Sequence, residues 1–597
     1  MGRSVWLTLA VAVNVTVATI SHAQTNSWID PSDGKWEKAH HWDNGSPSDA
    51  QSAVIISNAN SKVVTIDAHT ARNFPNSLTI SNLTVSAQDG NTNTLFLENS
   101  GTVALHILNN LTIGFFPDFS SFGASELISI NSTLVVDGLL GGQLEDSGTM
   151  VITGGSLLTT NCSLQVAYGA AGLLIISNAF VQARDVGIAT GTPSIGTVEL
   201  IGGTMTLSSS LVVGAGQIGS QGSFLVVNGN LVITNGPTNI GDGDGGYGIM
   251  TLTNSTMLAS SMGLGGGRGS GNLSIEASSV KLEGGLTLDY GYVYLNGGML
   301  VVTNAPTTLG EFTGFGEITV GDGLFLAREI FVGTEYQEDA RLTVYGGSTQ
   351  LSSNLQIGAF GLSAGGVFVG GGQLVVTNGE IMAKPGGSIA VEGGLLAANS
   401  ITIDDYGFGE GIYNPITDAL SVTGTLAING GSVTAFTGIT LGDCASSFVG
   451  QIAMDGGQLI VTNTAGTGFI DVQKGQLVLS DGVLQVDKLV MTNSCGSLVH
   501  TGGTLIVGSV ILDPNTFRIV SVTPQGNDML VTWMMGPGAT NILQAAAGGT
   551  QGSYTTNGFA DIFVVTNNTT PGTFTNYLDI GAATNKPSRY YRARLSP

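Results

Sequence analysis

Apolar and small polar residues alternate along most of this chain. Residues 231–235 read Leu-Val-Ile-Thr-Asn, and closely similar runs begin at Leu300, Leu374 and Leu459. Alternation with a period of two places the apolar side chains on one face of a β-strand. Helical periodicity is nearly absent beyond the N-terminal segment, so the pattern predicts an all-β protein built from short strands.

A second pattern sets the spacing of these strands, the dipeptide Gly-Gly followed one residue later by an apolar side chain. Successive pairs start 48, 95, 49, 25, 59, 26 and 46 residues apart, and all but one of these gaps lie close to a multiple of 24. A unit that recurs at this length is typical of a solenoid. The pairs begin at Gly154, Gly202, Gly297, Gly346, Gly371, Gly430, Gly456 and Gly502.

Each unit has room for two short strands and two glycine corners. A further Gly often closes a Leu-x-Val or Leu-x-Ile run eleven residues after a pair, as Gly214 does after Gly203 and Gly442 after Gly431. Glycine turns the chain sharply at no steric cost, and 90 of the 597 residues are glycine. The Asn that ends each Val-Thr-Asn run suits the same left-handed corners.

These observations predict a parallel β-solenoid over residues 74–513. It would contain about 18 coils of about 24 residues, which at ~4.8 Å per coil makes a rod of roughly 85 Å. The alternative is a series of β-sandwiches, which would show regular strand spacing without the fixed Gly-Gly register.

Residues 1–23 differ in composition from the repeat. Arg3 precedes an apolar run over residues 5–20, and Ser-His-Ala closes the segment with small residues at the two positions that signal peptidase reads. This arrangement predicts a secretory signal peptide, so we expect a secreted, extracellular or cell-surface protein. No later run of 18 apolar residues predicts a membrane span in the mature chain.

Residues 24–73 hold three of the five tryptophans together with the first strands. We interpret this segment as an N-terminal cap, because bulky side chains in a non-repeating segment can cover the open edge of a solenoid. In an alternative interpretation, Trp36 and Trp42 form a ligand-binding platform for sugar rings.

Residues 514–597 lose the 24-residue register. Strand-like runs such as residues 517–522 and 529–533 are separated by Gly, Asn, Thr and Pro turns, which predicts a small β-sandwich with Trp533 in its core. The segment resembles the fibronectin-type-III-like modules that end many secreted bacterial proteins.

The N-terminal motifs carry a wider resemblance. Residues 34–36 read Gly-Lys-Trp and residues 42–47 read Trp-Asp-Asn-Gly-Ser-Pro. With the Gly-Gly-x-Leu corners, this opening resembles secreted bacterial β-solenoids of the autotransporter-passenger-like and autotransporter-associated β-strand-repeat kind. The resemblance covers most of residues 27–512 and implies a structural, adhesive or matrix role outside the cell.

The composition narrows the choice of partners. The chain has 18 basic and 42 acidic residues, a net charge of −24, and no basic stripe that could neutralise phosphates, so we expect no nucleic-acid partner. The three cysteines, Cys162, Cys444 and Cys495, are scattered, and we expect no disulfide framework. Cys162 shares the parity of Leu164, which predicts a small buried side chain.

Adjacent carboxylates offer the strongest candidates for catalysis. Asp404 and Asp405, with Glu410 nearby, lie in the one irregular gap between Gly-Gly pairs, and paired carboxylates can cleave a glycosidic bond. No His or Lys flanks them, so we interpret them as solvated acids of a loop insertion.

A second acidic motif could bind a cation. Asp242 and Asp244 lie in Gly-Asp-Gly-Asp-Gly, whose carboxylate and carbonyl oxygens are ligands that Ca²⁺ prefers. Such motifs normally occur in tandem, and here the nearest copy is a single Gly-Asp-Gly over residues 321–323. Turn chemistry is therefore the favoured interpretation, and we expect no cofactor.

The sequence thus predicts a secreted, non-enzymatic β-solenoid that acts as an extracellular spacer, an adhesin or a matrix component. Its partner would be a surface or an extracellular polysaccharide. The alternatives are a polysaccharide-active lyase or hydrolase and a glycan-binding protein that uses the N-terminal tryptophans. The sequence leaves the oligomeric state open.

Overall fold

The chain winds into a parallel β-solenoid of about 17 turns, which is followed by antiparallel sheets. This confirms the predicted solenoid, and the alternative of serial sandwiches is wrong for the rod. The computed structural model describes residues 24–88, 90–114, 123–138, 142–144, 147–169, 171–191, 193–310, 314–333, 339–358, 364–403, 423–444, 449–513, 517–535, 540–549, 554–566, 573–584 and 588–596.

From residue 62 onward each coil contributes three strands, and each strand stacks in register on its equivalent in the next coil. The rod therefore has three parallel sheets. We number them 1 to 3 in the order in which the chain passes through them within one coil, beginning with the sheet that precedes the Gly-Gly corner. The expectation of two strands per coil is wrong, because a third strand precedes each Gly-Gly corner. Residues 195–201, for example, form a strand that ends just before Gly202.

Sheet 1 precedes the Gly-Gly corners. The strands that belong to it alone are Gly34–Lys35, Lys62–Asp67, Thr92–Glu98, Ala124–Ile130, Gly148–Thr153, Ala171–Ser177, Ile195–Ile201, Gln221–Val227, Tyr247–Thr253, Asp339–Val344, Ala364–Val369, Gly387–Val391, Thr423–Ile428 and Cys495–His500.

Sheet 2 follows those corners, and its own strands are Thr79–Ile80, Leu105–Ile107, Thr133–Val136, Thr204–Leu207, Asn230–Ile233, Thr256–Ala259 and Ser348–Leu351. Sheet 3 completes the coil with Thr25–Ser27, Ala53–Ile56, Leu83–Val85, Leu111–Ile113, Gly142–Leu144, Leu211–Val213, Pro237–Gly243, Ser261–Gly267, Leu286–Leu288, Thr307–Leu309, Ile330–Val332, Leu355–Ile357 and Phe469–Val472.

Longer strands bend around a corner and serve more than one sheet. Those that pass from sheet 1 to sheet 2 are Ser270–Leu282, Gly291–Val302, Gly316–Ala327 and Val449–Val461, and Lys474–Met491 continues into sheet 3. Those that pass from sheet 2 to sheet 3 are Ser156–Val166, Phe180–Ile188, Gln373–Ala383, Leu395–Ile403, Ser432–Leu441 and Thr504–Leu512.

The interior is a single aliphatic column. Leu231, Leu300, Leu374 and Leu459, which open the alternating runs of the sequence, are all fully buried in it. Cys162 is buried as predicted. Because each coil packs only on its neighbours, the core grows with the length of the rod.

Asparagine replaces glycine at several corners between sheets 1 and 2. Gly154 and Gly202 have φ of 60° and 67°, and Asn178, midway between them in sequence, has φ of 49°. Asn228 and Asn254 continue the series at φ of 51° and 49°. Asparagine tolerates this left-handed region better than most residues, so these residues fill the corners that the Gly-Gly spacing leaves empty. The asparagines that end the Val-Thr-Asn runs are not among those with positive φ in the described chain.

The N-terminal segment already belongs to the solenoid. Residues 25–27 pair in parallel with residues 53–55, which pair in turn with the coil that follows. The helix Ala68–Asn73 begins at Asp67, whose carboxylate accepts hydrogen bonds from the backbone of His69 and Thr70. In the described residues, the remaining helical elements are the 3₁₀ turns Ala39–His41, Pro75–Leu78, Thr556–Gly558 and Ala582–Thr584.

The described part of the C-terminal segment contains two antiparallel three-stranded sheets. One consists of Arg518–Gln525, Asp528–Met534 and Phe574–Asp579, and the other of Thr540–Ala547, Ala560–Thr566 and Arg589–Ser596. Trp533 is fully buried with Val531 and Leu543 in a cluster separate from that of the rod. The predicted core position of Trp533 is confirmed.

Candidate functional site

Of the two predicted acidic sites, the one at Asp242 and Asp244 lies within the described residues. Asp404, Asp405 and Glu410 lie outside the described residues. Asp242 accepts a hydrogen bond from Asn239 Nδ2 over 3.1 Å. Within the described part of the chain, no group of three or more His, Cys, Asp or Glu side chains is placed to hold a metal ion.

The N-terminal tryptophans offer no free ring face. Trp36 and Trp42 are 0% and 3% exposed and meet edge to face, with ring centroids 5.2 Å apart. Trp36 Nε1 donates to the Ser77 carbonyl and Trp42 Nε1 to the Trp36 carbonyl, both over 2.9 Å. Both rings belong to the core column of the rod, so neither presents to a sugar the face that the alternative interpretation requires.

An open groove lies instead on the outer surface of sheet 3. Its floor is a column of outward-facing residues from successive coils, in which Gln143 pairs with Gln165, Gln165 with Gly187 and Gly187 with Val212. Gly187 has no side chain, which leaves a recess in the column. A methyl group on Gly187 would come within 2.3 Å of Gln165 Oε1, so the Gln165 amide already lies over the recess.

Tyr168 stands at the wall of this groove, at the corner between sheets 3 and 1. Its side chain is 54% exposed. It lines two contiguous hollows of about 360 and 480 Å³, which share Tyr168 and Thr190. From Gln143 to Asp244 the hollows cross five coils, a length of about 19 Å at ~4.8 Å per coil. We refer to them together as the Tyr168 groove.

Polar groups converge on the Tyr168 groove from neighbouring coils. Thr190 Oγ1 donates to Gln165 Oε1 over 2.9 Å, which fixes the amide and leaves its NH₂ available as a donor. Asp185 accepts from Arg184 Nε over 2.6 Å, and the guanidinium also bonds Ser163 Oγ. The hydrogen bond to Asp185 raises the pKa of Arg184 above its ordinary value.

A second aromatic surface lies on sheet 1, which we call the tyrosine patch. It consists of Tyr292 and Tyr294 on one strand with Phe315 beside Tyr292 at a centroid distance of 5.7 Å. Tyr294 is 46% exposed, and partial burial, with the Glu317 carboxylate nearby, raises its pKa. In the preceding coil, Asn272 pairs with Tyr292 and donates to the hydroxyl of Tyr247, one coil earlier, over 2.8 Å.

Sequence reasoning missed both surfaces, although one had a signal. Residues 292–294 read Tyr-Val-Tyr, and two aromatic residues separated by one strand position share a face. The Tyr168 groove had no comparable signal. Its members come from separate coils, and only the stacking register brings them together.

The fold and the groove define a parallel β-solenoid with a polar lateral groove that is bordered by one tyrosine. Comparison of the chain with protein-family models, with curated proteins and with solved structures finds no match. In the described residues, no helix has the length and apolar character required to cross a membrane.

Proposed function

We propose that this protein is a secreted, non-enzymatic β-solenoid that binds neutral polysaccharide in the Tyr168 groove and serves as a rigid extracellular spacer or matrix component. The observation that carries the proposal is a half-exposed tyrosine ring beside amide and hydroxyl groups in an open groove. An aromatic face packs against the apolar face of a sugar ring. Amides and hydroxyls satisfy sugar hydroxyls, because they both donate and accept hydrogen bonds.

The direction of the groove favours a polymer. It follows the axis of the rod over about 19 Å, so an extended oligosaccharide could lie along it and contact several coils in turn. The residues that face it, Gln143, Gln165 and Thr190, come from three successive coils, and each would contact a different part of the ligand.

The charges favour a neutral glycan over an acidic one. The chain has a net charge of −24, and Asp185 and Asp244 line the groove. Arg184 and Asp185 form an ion pair, so their charges compensate each other, and Asp244 gives the groove its negative charge. A polyanionic glycan would meet repulsion that a neutral glycan does not.

The shape of the rod supports a spacer role. About 17 turns stacked at ~4.8 Å give a length of roughly 80 Å. A continuous aliphatic core with in-register strands resists bending, so a ligand in the groove would be held at a fixed distance from either end.

The test is binding of the mature chain to a panel of neutral and acidic oligosaccharides by titration calorimetry. Tyr168→Ala should weaken binding of a neutral ligand about tenfold, which corresponds to ~1.4 kcal/mol. Gly187→Ala should also weaken it, because the methyl group displaces Gln165. Tyr345→Ala is the matched control, since Tyr345 is 61% exposed and lies outside the groove.

Two results would overturn the proposal. Equal binding by wild type and Tyr168→Ala across all neutral ligands would remove the groove as the binding site. Release of new sugar ends from a bound polysaccharide would favour the alternative of a polysaccharide-active enzyme.

A further inference from the structure

Two cysteines that are distant in sequence lie at one corner of the rod. Cys444 follows the strand Ser432–Leu441, and Cys495 opens the strand Cys495–His500. The coil between them contains Gln473, whose carbonyl accepts a hydrogen bond from Cys444 Sγ over 3.0 Å. The next residue, Lys474, pairs directly with Cys495. The two cysteines therefore flank the same two residues of the intervening coil.

The two thiols therefore lie on the same corner of the rod. Cys495 also contributes to the electrostatic environment of the Cys444 thiol, in agreement with this placement. Cys495 is exposed and Cys444 is partly buried. Because Cys495 is the more exposed thiol, an oxidant in solution would reach it first. Burial, together with the neighbouring Cys495, raises the pKa of Cys444.

Cys162 shows what a purely structural cysteine looks like in the same rod. It is fully buried, and its thiol donates to the Val136 carbonyl over 3.4 Å. Burial raises the pKa of Cys162 to about 11. A buried, protonated thiol is inert, so Cys162 serves as an internal reference.

We propose that Cys444 and Cys495 form a disulfide that ties three successive coils together near the C-terminal end of the rod. The bond forms by thiol–disulfide exchange with a disulfide donor such as oxidised glutathione. The Cys495 thiolate attacks the donor, releases one glutathione thiol and forms a mixed disulfide. The Cys444 thiolate then displaces the second glutathione thiol, so the two cysteines lose two electrons and two protons in total.

The position of the pair gives the bond a structural effect. The coil that follows Cys495 is the last described coil of the solenoid, and its Leu505, Val507 and Leu512 are only partly buried. Ile506 and Ile511 of the same strand are exposed. A solenoid opens most easily at its ends, and a covalent tie just before the last strand restricts that opening. The inference does not depend on glycan binding.

The test uses the full chain equilibrated in glutathione buffers from reducing to oxidising, then denatured and alkylated. In oxidising buffer the protein should be two hydrogen atoms lighter before alkylation. After denaturation only Cys162 should be alkylated, and a peptide map should contain the Cys444–Cys495 cross-link. Alkylation of all three cysteines in every buffer would overturn the proposal. So would a persistent glutathione adduct on Cys495 or a disulfide-linked dimer in place of the internal bond.

Hydrogen exchange supplies a second readout. Oxidation should slow exchange about tenfold in the strands Cys495–His500 and Thr504–Leu512, and should leave Gln221–Val227 unchanged. Cys444→Ser is the matched variant. In this variant the exchange rates should no longer depend on the buffer and should equal those of the reduced wild-type protein. A buffer-dependent change in exchange that survives in Cys444→Ser would contradict the bond.

Discussion

Tyr292 and Tyr294 stack in parallel on the outer face of sheet 1, with an angle of 5° between their rings and 6.5 Å between the ring centroids. They are two positions apart on one strand, so their side chains project from the same face. The pair belongs to a different sheet from the floor of the Tyr168 groove. A ligand that reached both surfaces would have to be long.

Substitution at the tyrosine patch should weaken the binding of long ligands and leave the binding of short ligands unchanged. Tyr294→Ala should leave the affinity for an oligosaccharide that fills only the Tyr168 groove unchanged. It should weaken binding of the polymer about tenfold, because a second attachment on one molecule benefits from high effective concentration. Calorimetry with ligands of increasing length measures the effect.

Tyr294→Phe is the control, because it keeps the ring and should keep polymer affinity. Loss of affinity for the short ligand in Tyr294→Ala would contradict the assignment and make the patch the primary site. Unchanged polymer binding would leave the patch without a role in binding.

The left-handed corners predict which glycines resist substitution. Gly203 has φ of 76°, and a methyl group on it would lie 2.2 Å from the Ala179 carbonyl oxygen. Gly203→Ala should therefore lower the free energy of unfolding by at least about 1–2 kcal/mol, since the backbone conformation and the contact are both unfavourable. Denaturation in urea measures the change.

Gly169→Ala provides the comparison in the neighbouring coil. A methyl group on Gly169 meets nothing within 4 Å, and its backbone is not left-handed. Its effect on the free energy of unfolding should be within about 0.5 kcal/mol. Equal destabilisation by the two substitutions would mean that the corner geometry is not the cause.

Much of the rod could be predicted because its corners leave a local signal. The spacing of Gly154 and Gly202 gave the length of the coil, since few other residues turn the chain so sharply. The left-handed asparagines were predicted at the ends of the Val-Thr-Asn runs, whereas the structure places them at intermediate corners, as at Asn178. Asparagine is common throughout strands and turns, so its corner role appears only with the backbone angles.

The third strand was missed for a different reason. In sheet 1 the outward positions also carry apolar residues, as in residues 173–176, which read Leu-Leu-Ile-Ile. Such a run has no polar alternation, so its period cannot be read. Without that strand the register between coils is unknown, and the contact of Gln165 with Thr190, on which the groove depends, could not be found.

The buried tryptophans predict a local loss of stability at the N-terminal end. Trp42→Ala removes a large side chain that is packed edge to face against Trp28 and Trp36, at a cost of about 3–5 kcal/mol. Hydrogen exchange should accelerate in Ala53–Ile56 and remain unchanged in Gln221–Val227, because each coil contacts only its neighbours.

The same variant separates the two interpretations of the tryptophans. Glycan affinity should be unchanged in Trp42→Ala if the rings serve only the core, and lost if they formed a sugar platform. His40→Ala is the control for stability, because His40 is adjacent and exposed. A similar acceleration of exchange in His40→Ala would contradict the packing argument.

Lys62 predicts a pH dependence at the same end of the rod. Its ammonium group is buried and donates to the carbonyls of Asn58 and Asn60 and to Asn93 Oδ1. Burial lowers the pKa of Lys62 from 10.5 to about 8. Between these values the unfolded chain binds more protons than the folded chain, so the free energy of unfolding should rise with pH. The rise over this window is at most roughly 3 kcal/mol.

Substitution by Met removes the titrating group and should remove this rise. The measured quantity is the difference in the free energy of unfolding between wild type and Lys62→Met, followed from pH 7 to pH 10.5 by tryptophan fluorescence. All other ionisable groups are common to both proteins and cancel in the difference. Above about pH 8 the free energy of unfolding of wild type should increase relative to that of Lys62→Met. For Lys281→Met, at an exposed lysine, the difference from wild type should not change with pH. A difference that stayed constant across this range would show that burial does not lower the pKa of Lys62, because only a proton bound unequally by the folded and unfolded chains can change the slope.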